Sequence, residues 1–493
     1  MSTDPSRTQV SIDESNKILR AAIISRILVL SLIILWRSLL SPYDTSAILN
    51  PNCLSSSDSD TSSVLPIWPK IGSAIEGSIV WDGVYFIRIA QCGYEYEQTY
   101  AFFPLLPIFI YILSQTVFAP LVPIIGYRAV LGLSGYVINN IAFLLAVLYF
   151  YRLSIIIWKD RKTAFRASML FCFNPASIFY SSIYTESLYS LFSLGGIYHL
   201  LSGGNTIAVL MFALSGFARS NGVLNAGYIC FQAMHQAYDA IARKNRIGLA
   251  AMTLIGGALR SICIFAPFIA FQAYGYHNLC RDLISDEIRP WCKARVPFFY
   301  GFIQDHYWGV GFLKYFQLKQ LPNFLLASPI LFLALCSIAY HGKLWLDEIA
   351  FSLGFRASNK EKNDAQVSVE ISSEVSKENP NLRQRKMMSK EQTLSSCLSP
   401  VPSEPGTVVP VKSDYASISF IPFVLHLAIL SATAFFVMHV QVATRFLSSS
   451  PPLYWFSSYL MAYRGRCAYF IWAYSAAYIL IGSLLFSNFY PFT

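Results

Sequence analysis

The sequence predicts an all-α polytopic membrane protein of about 10 to 12 transmembrane helices, and three observations carry that expectation. The chain is 55% apolar and 15% aromatic over 493 residues, with only 13% charged, where a soluble domain carries about a quarter. Its apolar stretches repeatedly approach the ~20 residues that a helix needs to cross a bilayer core. They run apolar without the alternation of a barrel strand, so only helices let their backbones satisfy their own hydrogen bonds in lipid.

The first run, 21–40, is interrupted mainly by Arg26 and Arg37. It follows a polar stretch and lacks a small-residue cleavage pattern, so it reads as a retained first span rather than a removed signal. Further apolar blocks lie at 102–127, 129–158, 164–201, 207–240, 247–274, 324–340, 418–440 and 468–486. Basic residues orient them. Lys17 and Arg20 precede the first span, Lys159, Arg161 and Lys162 share one loop, and Arg243, Lys244 and Arg246 share another. The positive-inside rule puts all of these in the cytosol. Residues 41–101 and 276–322 then form large lumenal loops, with shorter lumenal segments at 184–186, 219–222 and 444–466. An odd number of crossings must separate 102 from 158, and three short ones are preferred to one crossing with a re-entrant element.

Three regions follow. Residues 1–354 form a transmembrane region with both large lumenal loops, and 414–493 form the closing helices. Between them 355–413 is rich in Ser, Glu, Lys, Asn and Pro. It cannot bury enough apolar surface to offset its ordering entropy and reads as a disordered cytosolic linker. Its cluster Arg383, Arg385 and Lys386 can touch anionic head groups, although acidic neighbours favour a plain solvated spacer. The net charge of +10 gives no nucleic-acid signal, because no compact basic soluble domain carries it.

The cysteines divide by environment. Cys172, Cys230, Cys263 and Cys336 sit in apolar blocks, where small buried thiols are ordinary. Cys280 and Cys292 share the second lumenal loop, and a disulfide between them would close the small loop holding Arg281, Arg289 and Trp291. Cys53 and Cys92 are lumenal as well, so other pairings stay open. No CxxC pair and no HExxH motif points to a metal.

Five polar clusters gather at the lumenal side of the apolar blocks. In the first, Trp81-Asp82-Gly83 precedes Arg88 and the run 93–104. Its carboxylate is suited to take a proton from an attacking hydroxyl as general base; Asp-Gly is equally a turn dipeptide. In the second, Glu186 follows Tyr184 and Thr185 inside an apolar block. An ionisable group at membrane depth is costly and counts as a functional candidate, while a Glu at a helix N-terminus also satisfies the dipole. The third, Arg219-Ser220-Asn221-Gly222, offers a guanidinium fork to a phosphate or a partner to Glu186. The fourth holds Gln304, Asp305, Tyr307, Trp308 and Lys314, readable as an interfacial aromatic belt or as a sugar platform with a phosphate-facing lysine. The fifth holds His439, Gln441 and Arg445 near the lumenal end of a block, where a snorkelling arginine is common.

In this order the clusters resemble the GPI mannosyltransferase II family, which adds the second mannose to the glycosylphosphatidylinositol (GPI) precursor. The resembling stretches are WD at Trp81, GYEYEQTYAFFP from Gly93, FNPASIFYSSIYTE from Phe173 and ARSNG from Ala218. To these add IQDHYWGVGFLKYFQLKQLPNFLLASP from Ile303 and MHVQVATRFLSSSPPLYWF from Met438. The resemblance runs from Arg20 almost to the last residue. Its departure is 355–413, which looks like an insertion confined to the cytosol.

The resemblance implies a GT-C-type glycosyltransferase of the endoplasmic reticulum (ER) membrane, with lumenal loops forming the active site. It implies an inverting α1,6-mannosyltransferase using dolichyl-phosphate mannose. The partners implied are that donor, a mannosylated glucosaminyl-phosphatidylinositol acceptor and membrane lipids; need for a small partner subunit stays open. Carried onto this chain, Asp82 is the expected base, with Asp305 in reserve. Arg219 and Arg445 are expected at the departing phosphate. Trp81, Glu186, Asn221, Gln304, Asp305, Lys314 and Gln441 are expected to touch the acceptor sugar or to support those that do. No cofactor or metal is implied, since no paired carboxylates face a diphosphate. The rivals are a sister enzyme with another acceptor, a lipid or sugar transporter, and a non-catalytic assembly factor. A transporter often shows two related halves, which this chain does not. An assembly factor has no use for Asp82, Arg219 and Arg445 together.

Overall fold

A computed structural model describes residues 5–43, 53–54, 66–280, 290–295, 298–352 and 420–490, and among them every regular element is helical. Among the described residues five helices are long and apolar enough to cross a membrane: Asp13–Leu39, Tyr127–Trp158, Ile247–Cys280, Leu318–Lys343 and Gly465–Ser487. A sixth arises if Leu105–Gln115 and Ala119–Ile125, bent by 69°, count as one broken span. Residues 355–413, Arg281 and Arg289 lie outside the described residues.

Helices of full spanning length are thus fewer than the ten to twelve spans expected, because polar motifs cut the apolar blocks. Block 164–201 shows how. It folds as three helices, Arg161–Cys172, Ser177–Ser181 and Glu186–Leu201. Asp160 caps the first, its carboxylate accepting from the backbone N–H of Lys162 at 3.1 Å and of Thr163 at 3.0 Å. Asn174 precedes Pro175, whose ring disfavours the helical region for the residue before it, and the helix stops at Cys172. Between 102 and 158 the expected three short crossings give way to the bent pair and one helix of 32 residues, Tyr127–Trp158. Pro120 and Pro123 limit the helices of the first part, and Gly126, at φ +93°, turns the chain into the second.

The Glu186–Leu201 helix packs between Tyr127–Trp158 and Asn205–Ala218. Lipid tails are as apolar as the side chains, so close van der Waals fit and small residues at contacts hold such helices together. Gly196 illustrates this: a Cβ there would lie 2.5 Å from the Phe212 ring.

Arg26 supplies the polar counterpart. Its guanidinium, 3% exposed, donates to the Ser177 carbonyl at 3.0 Å, to Ser181 Oγ at 3.1 Å and to Ser25 Oγ at 2.8 Å, and lies 3.9 Å from the Phe143 ring centre. A charge buried among apolar helices is costly and is held by such polar partners, although Arg26 Nε has none among the described residues. Arg26 therefore ties the first span to the turn that leads into Glu186.

Candidate active site

All five polar clusters line one cavity of about 190 Å³. Asp82 and Phe86 come from the first, Tyr184 to Glu186 from the second, and Arg219 and Ser220 from the third. Gln304 and Trp308 come from the fourth, and Met438 to Phe446 supplies His439 and Arg445. Each charged side chain reaches the cavity for a local reason. Asp82 opens the Asp82–Cys92 helix, where the dipole favours an acid. Trp81 before it sits at φ +53°, an uncommon conformation outside glycine. It is held by an indole N–H donated to the Phe486 carbonyl at 3.0 Å. Glu186 likewise opens its helix. Arg219 is extended beyond the Asn205–Ala218 helix, at φ −158°. The chain then folds back so tightly that a Cβ on Gly222 would stand 2.2 Å from the Ser215 carbonyl. Only glycine fits there.

These groups form an alternating set of two carboxylates and two guanidiniums. Arg445 Nη1 donates to Asp82 Oδ2 at 3.1 Å, across 363 residues of sequence, and lies 3.9 Å from Glu186 Oε1. Arg219 Nη1 donates to that same Glu186 oxygen. Glu186 is 2% exposed, so two guanidiniums stabilise a carboxylate that water does not reach. Burial alone would lower the Arg445 pKa; Asp82 and Glu186 more than reverse that, and the guanidinium is held more firmly charged than usual. Phe179 and Tyr184 face it, each ring centre 5.3 Å away. Burial and then the Asp82 charge push the Tyr184 phenol up, so it stays neutral and accepts the Asp82 backbone N–H at 3.2 Å. Glu186 Oε2 and Arg445 Nε are buried and have no hydrogen-bond partner among the described residues.

The other expected residues fall elsewhere. Trp81 packs on Phe489, ring centres 5.6 Å apart, and braces the Asp82 turn from outside the cavity. Asp305 pairs with Lys314, both about half exposed, on the far side of the helix whose Gln304 lines the cavity. Consecutive helical positions point about 100° apart, which separates Gln304 from Asp305. Asn221 is buried and Gln441 half-buried, and neither lines the cavity; both Asn221 side-chain polar atoms are without partners among the described residues. Arg219 turns out to be Glu186's partner while still facing the cavity.

Sequence reasoning missed Tyr300, a cavity residue whose hydroxyl lies 2.8 Å from Ser220 Oγ. It also missed Glu97. This carboxylate, 6% exposed, accepts the Trp291 indole N–H at 2.9 Å and the Tyr307 hydroxyl at 2.9 Å, joining the loop within 41–101 to that within 276–322. Disulfides Cys280–Cys292 and Cys53–Cys92 each close one of these loops on itself. Arg88 and Glu95 form a buried pair beside the second of them, with Arg88 Nε 2.7 Å from Glu95 Oε2. Cys53, Cys92 and Glu95 are a grouping of metal-ligand type among the described residues, but both sulfurs are consumed by the disulfide.

Comparison with known proteins places this geometry in a lineage. A family described as "Mannosyltransferase (PIG-V)" matches residues 15–493. The chain is 28% identical to the human GPI alpha-1,6-mannosyltransferase 2, covering 93% of this chain and 85% of that protein. It is 26% identical to the Drosophila melanogaster GPI mannosyltransferase 2, covering 97% and 100% respectively. To the Cryptococcus neoformans GPI mannosyltransferase 2 it is 34% identical, covering 57% of this chain and 67% of the relative. No solved structure matches. With the family match running across nearly its whole length, the chain belongs to the PIG-V mannosyltransferase family.

Proposed function

We propose that this multi-pass membrane enzyme transfers mannose from dolichyl-phosphate mannose to the one-mannose GPI precursor, in α1,6 linkage, at the lumenal face of the ER. The observation that carries the proposal is the convergence of Asp82, Glu186, Arg219 and Arg445 on one cavity. The named relatives support the acceptor and linkage. Both disulfides lie in the loops that form the cavity's outer side, which supports an oxidising compartment.

The chemistry follows from the charges. The acceptor hydroxyl oxygen forms a bond to the anomeric carbon as the bond from that carbon to the phosphate oxygen breaks. The hydroxyl proton passes to Asp82, whose carboxylate is 35% exposed toward the cavity. The leaving polyisoprenyl phosphate gains a negative charge, and Arg445 and Arg219 are the cations placed to stabilise it. Attack on the face opposite the phosphate converts the β-linked donor into an α product. Fixing both reactants in one cavity removes a large entropic share of the barrier, up to about 7–11 kcal/mol in ideal cases.

The test uses microsomes from cells lacking the endogenous enzyme. With labelled dolichyl-phosphate mannose, re-expression of this chain converts the one-mannose GPI lipid to the two-mannose lipid. Persistence of the one-mannose lipid with the chain present at normal level contradicts the proposal. The sister-enzyme alternative is supported if a different lipid-linked glycan lengthens.

A further inference from the structure

The four charged side chains of the cavity form a row. Asp82 meets Arg445 at 3.1 Å, Arg445 lies 3.9 Å from Glu186, and Arg219 pairs with that same Glu186 oxygen. The row therefore has a carboxylate at one end and a guanidinium at the other. Tyr300, Gln304 and Trp308 of the Phe299–Trp308 helix also line the cavity. Their spacing of four residues puts them on one face of that helix. From the first to the last, that face is about 12 Å long, more than one sugar ring covers.

The two ends of this face meet different neighbours. At one end, Tyr300 Oη lies 2.8 Å from Ser220 Oγ, on the residue that follows Arg219. At the other, the Trp308 ring meets Phe102 edge-on, centres 5.9 Å apart, and Phe102 meets Phe86 at 5.2 Å. Phe86 stands one helical turn after Asp82. The helix thus follows the charged row, with Tyr300 at the Arg219 end and Trp308 at the Asp82 end. Phe86 and Phe102 are buried, at 4% and 9% exposure, whereas Trp308 is half-buried. Of these three rings, Trp308 has the most surface left for a ligand. Its place is fixed: His439, also on the cavity wall, hydrogen-bonds the Trp308 backbone and stacks on Tyr315, ring centres 4.6 Å apart.

We propose that Trp308 is the platform on which the acceptor's mannose ring stacks while its primary hydroxyl reaches Asp82. This rests on reading the cavity as the site of transfer and Asp82 as the base. An α1,6 linkage is made by the hydroxyl on carbon 6, which stands one carbon outside the pyranose ring. The ring therefore sits beside the carboxylate rather than against it, and that is where Trp308 lies. The polarised C–H groups on a pyranose face are drawn to the negative face of an indole, and the contact buries apolar area as well. The transferred mannose carries a phosphate that needs cations, so it takes the side of the row where Arg219 and the Ser220 and Tyr300 hydroxyls gather. A stacked ring orients the acceptor without adding a charge that competes for Arg445.

The experiment uses the full chain in microsomes from cells lacking the endogenous enzyme, with the one-mannose GPI lipid and dolichyl-phosphate mannose titrated separately. Trp308→Leu keeps an apolar side chain but no ring. It is expected to raise the apparent KM for the acceptor about tenfold and to leave that for the donor within about twofold. Trp308→Phe restores a flat ring and is expected to recover most of the loss. Tyr300→Phe, on the same helix face, is expected to leave the acceptor KM within about twofold. The proposal is overturned by an unchanged acceptor KM in Trp308→Leu, by an equal rise in the donor KM, or by a phenylalanine no better than leucine. A rise in acceptor KM in Tyr300→Phe as large as that in Trp308→Leu overturns it too. If Trp308→Leu does not accumulate, a one-mannose GPI lipid bearing a diazirine on its mannose decides on the unsubstituted chain. Label is then expected on the peptides carrying Trp308 or Phe102, and label confined to other peptides overturns the proposal. Any of these contrary results with normal transfer by the unsubstituted chain sinks only the platform. Failure of that chain to lengthen the one-mannose lipid sinks the transfer reading and this proposal with it.

Discussion

Arg445 serves two carboxylates at once, Asp82 at 3.1 Å and Glu186 at 3.9 Å, and it faces the cavity in which the proposed reaction releases a phosphate. In the proposed reaction an incoming phosphate competes for the same guanidinium and loosens its hold on Asp82, which would free that carboxylate to take a proton. Lysine keeps the charge but lacks the planar fork. Arg445→Lys is therefore expected to accumulate normally while transfer falls about 10²–10³-fold, as when one stabilising donor of an oxyanion is lost. Arg445→Ala removes a partner of the buried Glu186 and is expected to lower the protein's level too, since breaking a buried pair costs about 3–5 kcal/mol. Immunoblot level and microsomal transfer separate the two effects. Asp82, Glu186, Arg219 and Arg445 were legible in the sequence because a charge in apolar surroundings is expensive and stands out. Tyr300 and Glu97 gave no such contrast: one is an aromatic among aromatics, the other an acid in an already polar loop.

At the scale of elements, Glu97 holds the helix Phe299–Trp308, which carries Gln304 and Trp308, against the loop that follows Cys92. A glutamine there presents one acceptor oxygen instead of two and leaves the Trp291 or Tyr307 donor unpaired. Glu97→Gln is expected to cost about 1–3 kcal/mol, read as a lower thermal midpoint in detergent with retained but weakened transfer. Unchanged stability would mean that ring contacts such as Tyr100–Phe299 hold the two loops together without Glu97. The sequence showed where apolar blocks lay, but not how many would be full spans. Hydropathy registers composition, whereas the breaks at Asn174-Pro175 and at Gly126 depend on backbone geometry. The bent pair before Tyr127 is the clearest case.

For the whole molecule, the described lining of the cavity is assembled from segments far apart in the chain, and 355–413 lies outside the described residues. Replacing that segment with a flexible Gly-Ser linker of about 20 residues, enough to span roughly 25 Å, is expected to leave transfer within twofold of the intact chain (about 0.4 kcal/mol). A large loss would place a functional element in the segment. The order of motifs along the chain was legible from the start, because each is a short polar break in an apolar run. Which residue meets which was not, since the Asp82–Arg445 contact closes over 363 residues and no local pattern encodes it.

The most direct measurement is the first-turnover rate of mannose transfer by Asp82→Asn, compared with the unsubstituted chain at equal level in microsomes supplied with dolichyl-phosphate mannose. Asparagine keeps the shape and can still accept from Arg445, but it cannot take the acceptor's proton. The account predicts a rate about 10²–10⁴-fold lower, with the one-mannose lipid accumulating. A rate within a few-fold of the unsubstituted chain contradicts it and moves the base to another carboxylate, with Glu186 the next one on the cavity wall.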